Sequence, residues 1–140
     1  MKVINPQQFK TVRGYSGKPI IRFSKTGIAL NETTARTLFG ERGVDGKMPT
    51  DEKGREYFHI QFAENDGQLF LGVTPPSNEN SVRMTLQPNC VFEYSSKGLS
   101  EHLRTFTNSG KDSVPCLLQI QAKDEDGWIP IITTYWKTLN

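Results

Sequence analysis

Residues 19–40 read PIIRFSKTGIALNETTARTLFG. Ile20 to Ser24 is a short run of β-formers, with Ile21 and Phe23 on one face and Ile20 and Arg22 on the other. Lys25-Thr26-Gly27 is a turn, and Ile28 to Leu30 is the returning strand. Asn31 then suits a helix N-cap, and Glu32 places a negative charge in the first turn, where the helix dipole favours it. Ala35, Leu38 and Phe39 give the helix an apolar face, and Gly40 stops it. The segment therefore predicts a hairpin followed by a short helix.

The rest of the chain reads in similar units. Residues 1–18 are punctuated by Pro6, Gly14 and Gly17 and predict an irregular arm. Residues 40–56 (GERGVDGKMPTDEKGRE) predict a long surface loop, uncommon inside a small domain unless it serves a function. Tyr57 to Thr74 alternates Phe58, Ile60 and Phe62 with His59 and Gln61 and turns at Asn65-Asp66-Gly67, the pattern of a hairpin. Val82 to Leu86 and Val91-Phe92 predict further strands. Ser96 caps a helix to about Phe106, with Leu99, Leu103 and Phe106 at i, i+4 and i+7. Leu117 to Ala122 and Trp128 to Thr134 predict a last hairpin around Asp126-Gly127.

These elements predict an α+β domain of antiparallel β-hairpins with two short helices. TARTLF (34–39) and HLRTF (102–106) each precede an Asp-Gly hairpin, an echo compatible with an internal β-α-β-β duplication. At 140 residues the chain suits one domain spanning 1–140. It has no run near the ~18 apolar residues of a membrane span, and its start lacks a signal peptide's apolar stretch. The two cysteines, Cys90 and Cys116, exclude a disulfide framework. A cytoplasmic protein is the expectation.

The net charge of +2 conceals an asymmetry. Residues 1–31 carry six Lys or Arg and no acid, residues 1–60 sum to +5, and residues 61–140 sum to −3. A basic segment of this kind steers polyanions. The pI of 8.6 is lower than the value above ~9 typical of a nucleic-acid-binding domain, so the signal is local.

Residues 19–74 resemble the swapped-hairpin transcription regulators of the AbrB/SpoVT and MazE type. The matching positions are Arg22, Ser24, Lys25, Gly27, Ile28, Leu30, Asn31, Ala35, Leu38 and Gly40. The chain departs from that pattern at Asn31, where the family has a proline, and at the long loop 40–56. The strand and helix alternation is also similar to the whirly and coactivator folds that bind single-stranded DNA. Either resemblance implies a DNA-binding dimer without catalysis.

Candidate chemistry follows from the basic segment. Arg13, Lys18, Arg22, Lys25, Arg36 and Arg42 are the expected nucleic-acid contacts, since Arg and Lys neutralise phosphates and Arg reads guanine edges. The competing reading is a solvated face with edge-strand lysines that oppose aggregation. Phe23, Tyr57, Phe58, Phe62 and Phe70 would stack on bases if exposed, although alternating Phe on strands more often forms core. Tyr15 is the ring best placed in the basic arm. Trp128 and Trp136 fit packing or a dimer contact. His59 and His102 stand apart from any metal-ligand spacing, so no metal or other cofactor is expected. Asp124-Glu125-Asp126-Gly127 lacks the alternate ligands of a calcium loop. GERGVDGK lacks the Lys-Ser/Thr ending of a phosphate loop. No nucleophile–base spacing appears, so no enzyme is expected.

The sequence thus predicts a small non-catalytic DNA-binding protein acting as a homo-oligomer. The alternative is an oligomeric structural or protein-interaction module, such as a phage or mobile-element accessory protein.

Overall fold

The structure is a computed structural model and describes residues 2–3, 18–40 and 47–139. Among the described residues eight strands form: β1 (Ile20–Phe23), β2 (Gly27–Asn31), β3 (Tyr57–Asn65), β4 (Gln68–Val73), β5 (Val82–Leu86), β6 (Val91–Ser95), β7 (Val114–Leu118) and β8 (Ile129–Ile132). Helix α1 (Glu32–Gly40) follows β2 and helix α2 (Lys97–Arg104) follows β6. All strand pairs are antiparallel, and the sheet closes in the order β1-β2-β6-β5-β3-β4-β8-β7.

This closure overturns the expected α+β arrangement of hairpins with helices. The local hairpins exist, but each strand's apolar face turns into one barrel lumen. An eight-stranded barrel is just wide enough for side chains to fill. Ile21, Phe23, Ile28, Leu30, Phe58, Ile60, Leu71, Met84, Phe92, Cys116, Leu118, Ile129 and Ile131 are buried in that core. Closure pairs strands far apart in sequence, such as Ile21 with Cys116 and Phe58 with Met84. It also leaves no open sheet edge among the described strands.

The repeated unit is ββαββ rather than the expected β-α-β-β. Exchanging β1–β4 with β5–β8 leaves every neighbour relation of the barrel unchanged. A pseudo-two-fold axis therefore crosses the barrel at two opposite seams. One lies in the β2–β6 ladder and the other in the β4–β8 ladder. The helices correspond through their caps rather than through the Arg-Thr dipeptides of the echo. The Asn31 side chain accepts from the Thr34 N–H at 2.7 Å, and the Ser96 hydroxyl accepts from the Leu99 N–H at 3.2 Å. Counting from these caps, a small buried residue follows at the fourth position (Ala35, Ser100) and a buried leucine at the seventh (Leu38, Leu103). Because β2 and β6 are antiparallel, the two helices leave from opposite ends of the barrel.

Two further expectations change. The last hairpin is displaced: β7 begins at Val114, Ile120–Ala122 is a 3-10 turn, and β7 pairs with β8 only through Leu117–Ile132 and Leu118–Ile131. The expected surface loop contributes to the core, because Met48 is only 7% exposed. Residues 51–55 form a tight turn in which Asp51 accepts from the N–H groups of Lys53 and Arg55 and from the Arg55 guanidinium. Among the described residues no helix is long and apolar enough to cross a membrane.

Candidate nucleic-acid interface

The turn between β1 and β2 is built to be rigid. The Ser24 N–H donates to the Gly27 carbonyl at 2.8 Å, and the Gly27 N–H donates to the Ser24 hydroxyl at 3.2 Å. A Cβ on Gly27 would stand 2.2 Å from the Tyr94 carbonyl oxygen, so glycine lets the turn lie against β6. Helix α2 fastens the turn from the other side. The Ser96 N–H donates to the Thr26 carbonyl at 3.0 Å, and the buried Ser100 hydroxyl donates to the Ser24 carbonyl. Lys25 stands exposed on this fastened turn.

Arg22 lies on the outer face of β1, between Ala29 and Pro115. Its guanidinium donates to the Ser113 hydroxyl at 2.8 Å. Burial lowers its affinity for the proton, partly opposed by the neighbouring Cys116. Ser113 leads into β7 at the same end of the barrel as the Lys25 turn and α2. The register therefore brings Arg22, Lys25, Lys97, Arg104 and Lys111 to one end, with Glu101 and Asp112 as the acids of the same segments. Arg104 donates from Nε to the Ser100 carbonyl at 3.4 Å.

Two of the other expected contacts, Arg36 and Lys18, lie away from this end. Arg36 stands on α1, at the opposite end, held by Glu32 at 2.7 Å and Glu56 at 2.9 Å. The two carboxylates raise its pKa, and Arg36 in turn holds the Glu56 carboxyl below its usual value. A guanidinium shared by two carboxylates has little charge left for a phosphate. Lys18 precedes β1, its ammonium 5.6 Å from the Tyr135 ring centre. Arg13, Arg42 and Tyr15 lie outside the described residues.

The aromatic expectation divides along the pleat. Phe23 and Phe58 are core, and Phe62 packs edge-on against Phe23 at 6.2 Å. Tyr57 faces outward. The Arg83 guanidinium lies 4.3 Å from its ring centre, and His59 meets it edge-on at 5.7 Å. His59 is nearly buried on this outer face, and burial, aided by the Arg83 charge, lowers its pKa. Cys116 is fully buried, which pushes its thiol up to about 12 and keeps it protonated. Among the described residues no group of His, Cys, Asp and Glu is arranged to hold a metal ion.

Sequence reasoning missed Lys97, Arg104 and Lys111. They belong to the half whose summed charge is negative, and only barrel closure and α2 docking bring them to the same end as Lys25. The signal available was the Ser96 cap, which fixes Lys97 in the first turn of a helix. No protein-family model, curated protein or solved structure matches this chain.

Proposed function

We propose that this protein is a non-catalytic DNA-binding barrel that engages phosphates through its α2 end. Lys25, Lys97, Arg104 and Lys111 supply the charge, and Arg22 braces the strand beneath them. The observation that carries this reading is the fastening of the Lys25 turn by Ser96 and Ser100. A cation on a fixed turn loses less conformational entropy on binding than one on a mobile loop. DNA binding is also what the resemblance of residues 19–74 to swapped-hairpin and single-stranded-DNA-binding folds implies.

The reading differs from the sequence expectation in its residues: Lys97, Arg104 and Lys111 enter the interface, and Arg36 leaves it. Arg36 is occupied by its own carboxylates and is left out of the interface. The test is fluorescence anisotropy with labelled single- and double-stranded DNA at about 50 and 200 mM salt, a range over which phosphate-driven binding falls steeply. Lys25→Ala and Lys97→Ala should each weaken binding and reduce the salt slope by about one, while Arg36→Ala leaves both unchanged. Absence of binding at the lower salt, with self-association in sedimentation, would replace this reading with an oligomeric interaction module.

A further inference from the structure

The seam opposite the β2–β6 pair carries a different chemistry. A pocket of about 220 Å³ opens on the outer face of the β3–β4 hairpin, lined by Ala63, Glu64, Asn65, Phe70, Asp124 and Trp128. Its aromatic wall depends on a glycine. A Cβ at Gly72 would lie 3.2 Å from Cε3 and 3.3 Å from Cζ3 of Trp128, so the indole lies directly on β4. Ala63 pairs with Phe70 across the ladder, and its small side chain leaves the Phe70 ring bordering the pocket.

The acidic wall is fixed to the aromatic one. Asp124 Oδ1 accepts from the N–H groups of Asp126 and Trp128, each at 2.9 Å. The Asp124 N–H in turn donates to the Trp128 carbonyl at 3.0 Å. The carboxylate and the indole therefore keep one relative position. Glu64 also lines the pocket, but it pairs with the buried Leu69, on the face of β3 opposite to Ala63, and so adds its charge at the rim. The two turns beside the pocket add Asp66, Glu125 and Asp126, with Lys123 as the neighbouring base.

We propose that this pocket binds an organic cation, a primary or quaternary ammonium group, between the Trp128 and Phe70 rings and beside the Asp124 carboxylate, with Glu64 adding negative charge at the rim. Aromatic faces attract cations through their quadrupoles, and ammonium heads carry enough hydrocarbon to fill an apolar wall. The carboxylates supply the opposite charge without needing directed donors. Neutral sugars also stack on indoles, but the excess of acid around the rim favours a cation. This assignment is independent of DNA binding at the α2 end.

The test is NMR titration of the full chain with tetramethylammonium chloride, n-butylammonium chloride and methyl glucoside, against sodium chloride at equal ionic strength. Saturable shifts of the Trp128 indole N–H and the Gly72 amide with the two ammonium salts are expected. Glu64→Gln, an exposed substitution that leaves the fold intact, should weaken them about fivefold. A short oligolysine peptide separates the sources of the cation. Affinity that grows with lysine number points to a basic protein segment, and affinity equal to butylammonium points to a free amine. Shifts that do not saturate, that ignore Glu64→Gln, or that appear with the glucoside instead would overturn the proposal.

Discussion

The hydroxyl of Ser100, in helix α2, donates a hydrogen bond to the backbone carbonyl of Ser24, the residue before Lys25. Ser100 is fully buried and occupies the position that Ala35 occupies in α1. The pseudo-symmetric site therefore needs only a small side chain, and the hydroxyl is an addition specific to the second half. It ties the end-capping helix to the turn that presents the foremost cation.

Ser100→Ala should cost about 1–2 kcal/mol, because it removes one hydrogen bond and leaves a partly buried carbonyl without its donor. Urea unfolding measures the loss. Hydrogen exchange should also accelerate at the Ser96 amide, which bonds to Thr26 in the same turn. An unchanged midpoint would show that water replaces the hydroxyl without cost.

Two glycines make opposite predictions for the same substitution. Gly27→Ala drives a Cβ into the Tyr94 carbonyl and should cost about 3 kcal/mol or more, beyond the usual range for overpacking because the obstacle is backbone. Gly98 lies in the first turn of α2 with open space around it. Gly98→Ala should stabilise by roughly 0.4–1 kcal/mol through the unfolded chain. Paired thermal melts of the two variants distinguish them by sign.

The Arg36 cluster is a surface feature. Its side chains are about a third or more exposed, so solvent screens the attraction. Glu56→Gln should change stability by less than about 1 kcal/mol, and the difference should shrink further at about 1 M salt. A loss several times larger in denaturant unfolding would mean that the cluster anchors α1.

His59 and Cys116 each contribute to one limb of the pH profile. The folded state holds His59 below its ordinary 6.5, so on acidification the unfolded chain binds the proton first. Stability is complete above that value and falls as pH drops through the lower, folded pKa. His59→Gln should flatten this acid limb. Cys116 is held up at about 12 against 9.0, so above 9.0 the unfolded chain loses its proton first and stability falls as pH rises towards 12. Cys116→Ala should remove that alkaline slope. In the native protein iodoacetamide should label exposed Cys90 and spare Cys116, with mass spectrometry of the peptides as the readout.

The sequence by itself determined the local elements. Alternation at Ile21 and Phe23, and at Phe58, Ile60 and Phe62, specified strands because a pleat with one buried face has period two. Asn31 and Ser96 fixed the two helix starts because their side chains satisfy first-turn N–H groups. Asp66-Gly67 fixed a hairpin, both residues adopting positive φ. Less local features leave no clear mark in the sequence. The apolar run points to a strand over Leu117 to Ala122, later than the actual Val114–Leu118, because Pro115 and Cys116 disguise the strand's start. Met48 read as loop because a single apolar residue among Gly, Lys and Pro has no periodicity.

The tertiary structure alone decided which apolar faces met and which charges gathered. Closure depends on pairings such as Ile21 with Cys116 and Leu69 with Ile131, and an alternating strand carries no mark of its partner. An open sheet and a closed barrel demand the same pattern of inward residues. The barrel also sorted the cations. It neutralised Arg36 against Glu32 and Glu56, and it brought Lys97, Arg104 and Lys111 to the same end as Lys25. It laid Trp128 on Gly72, two positions that no local motif connects. Side-chain period is a property of a segment, whereas strand partnership and charge proximity are properties of the closed chain.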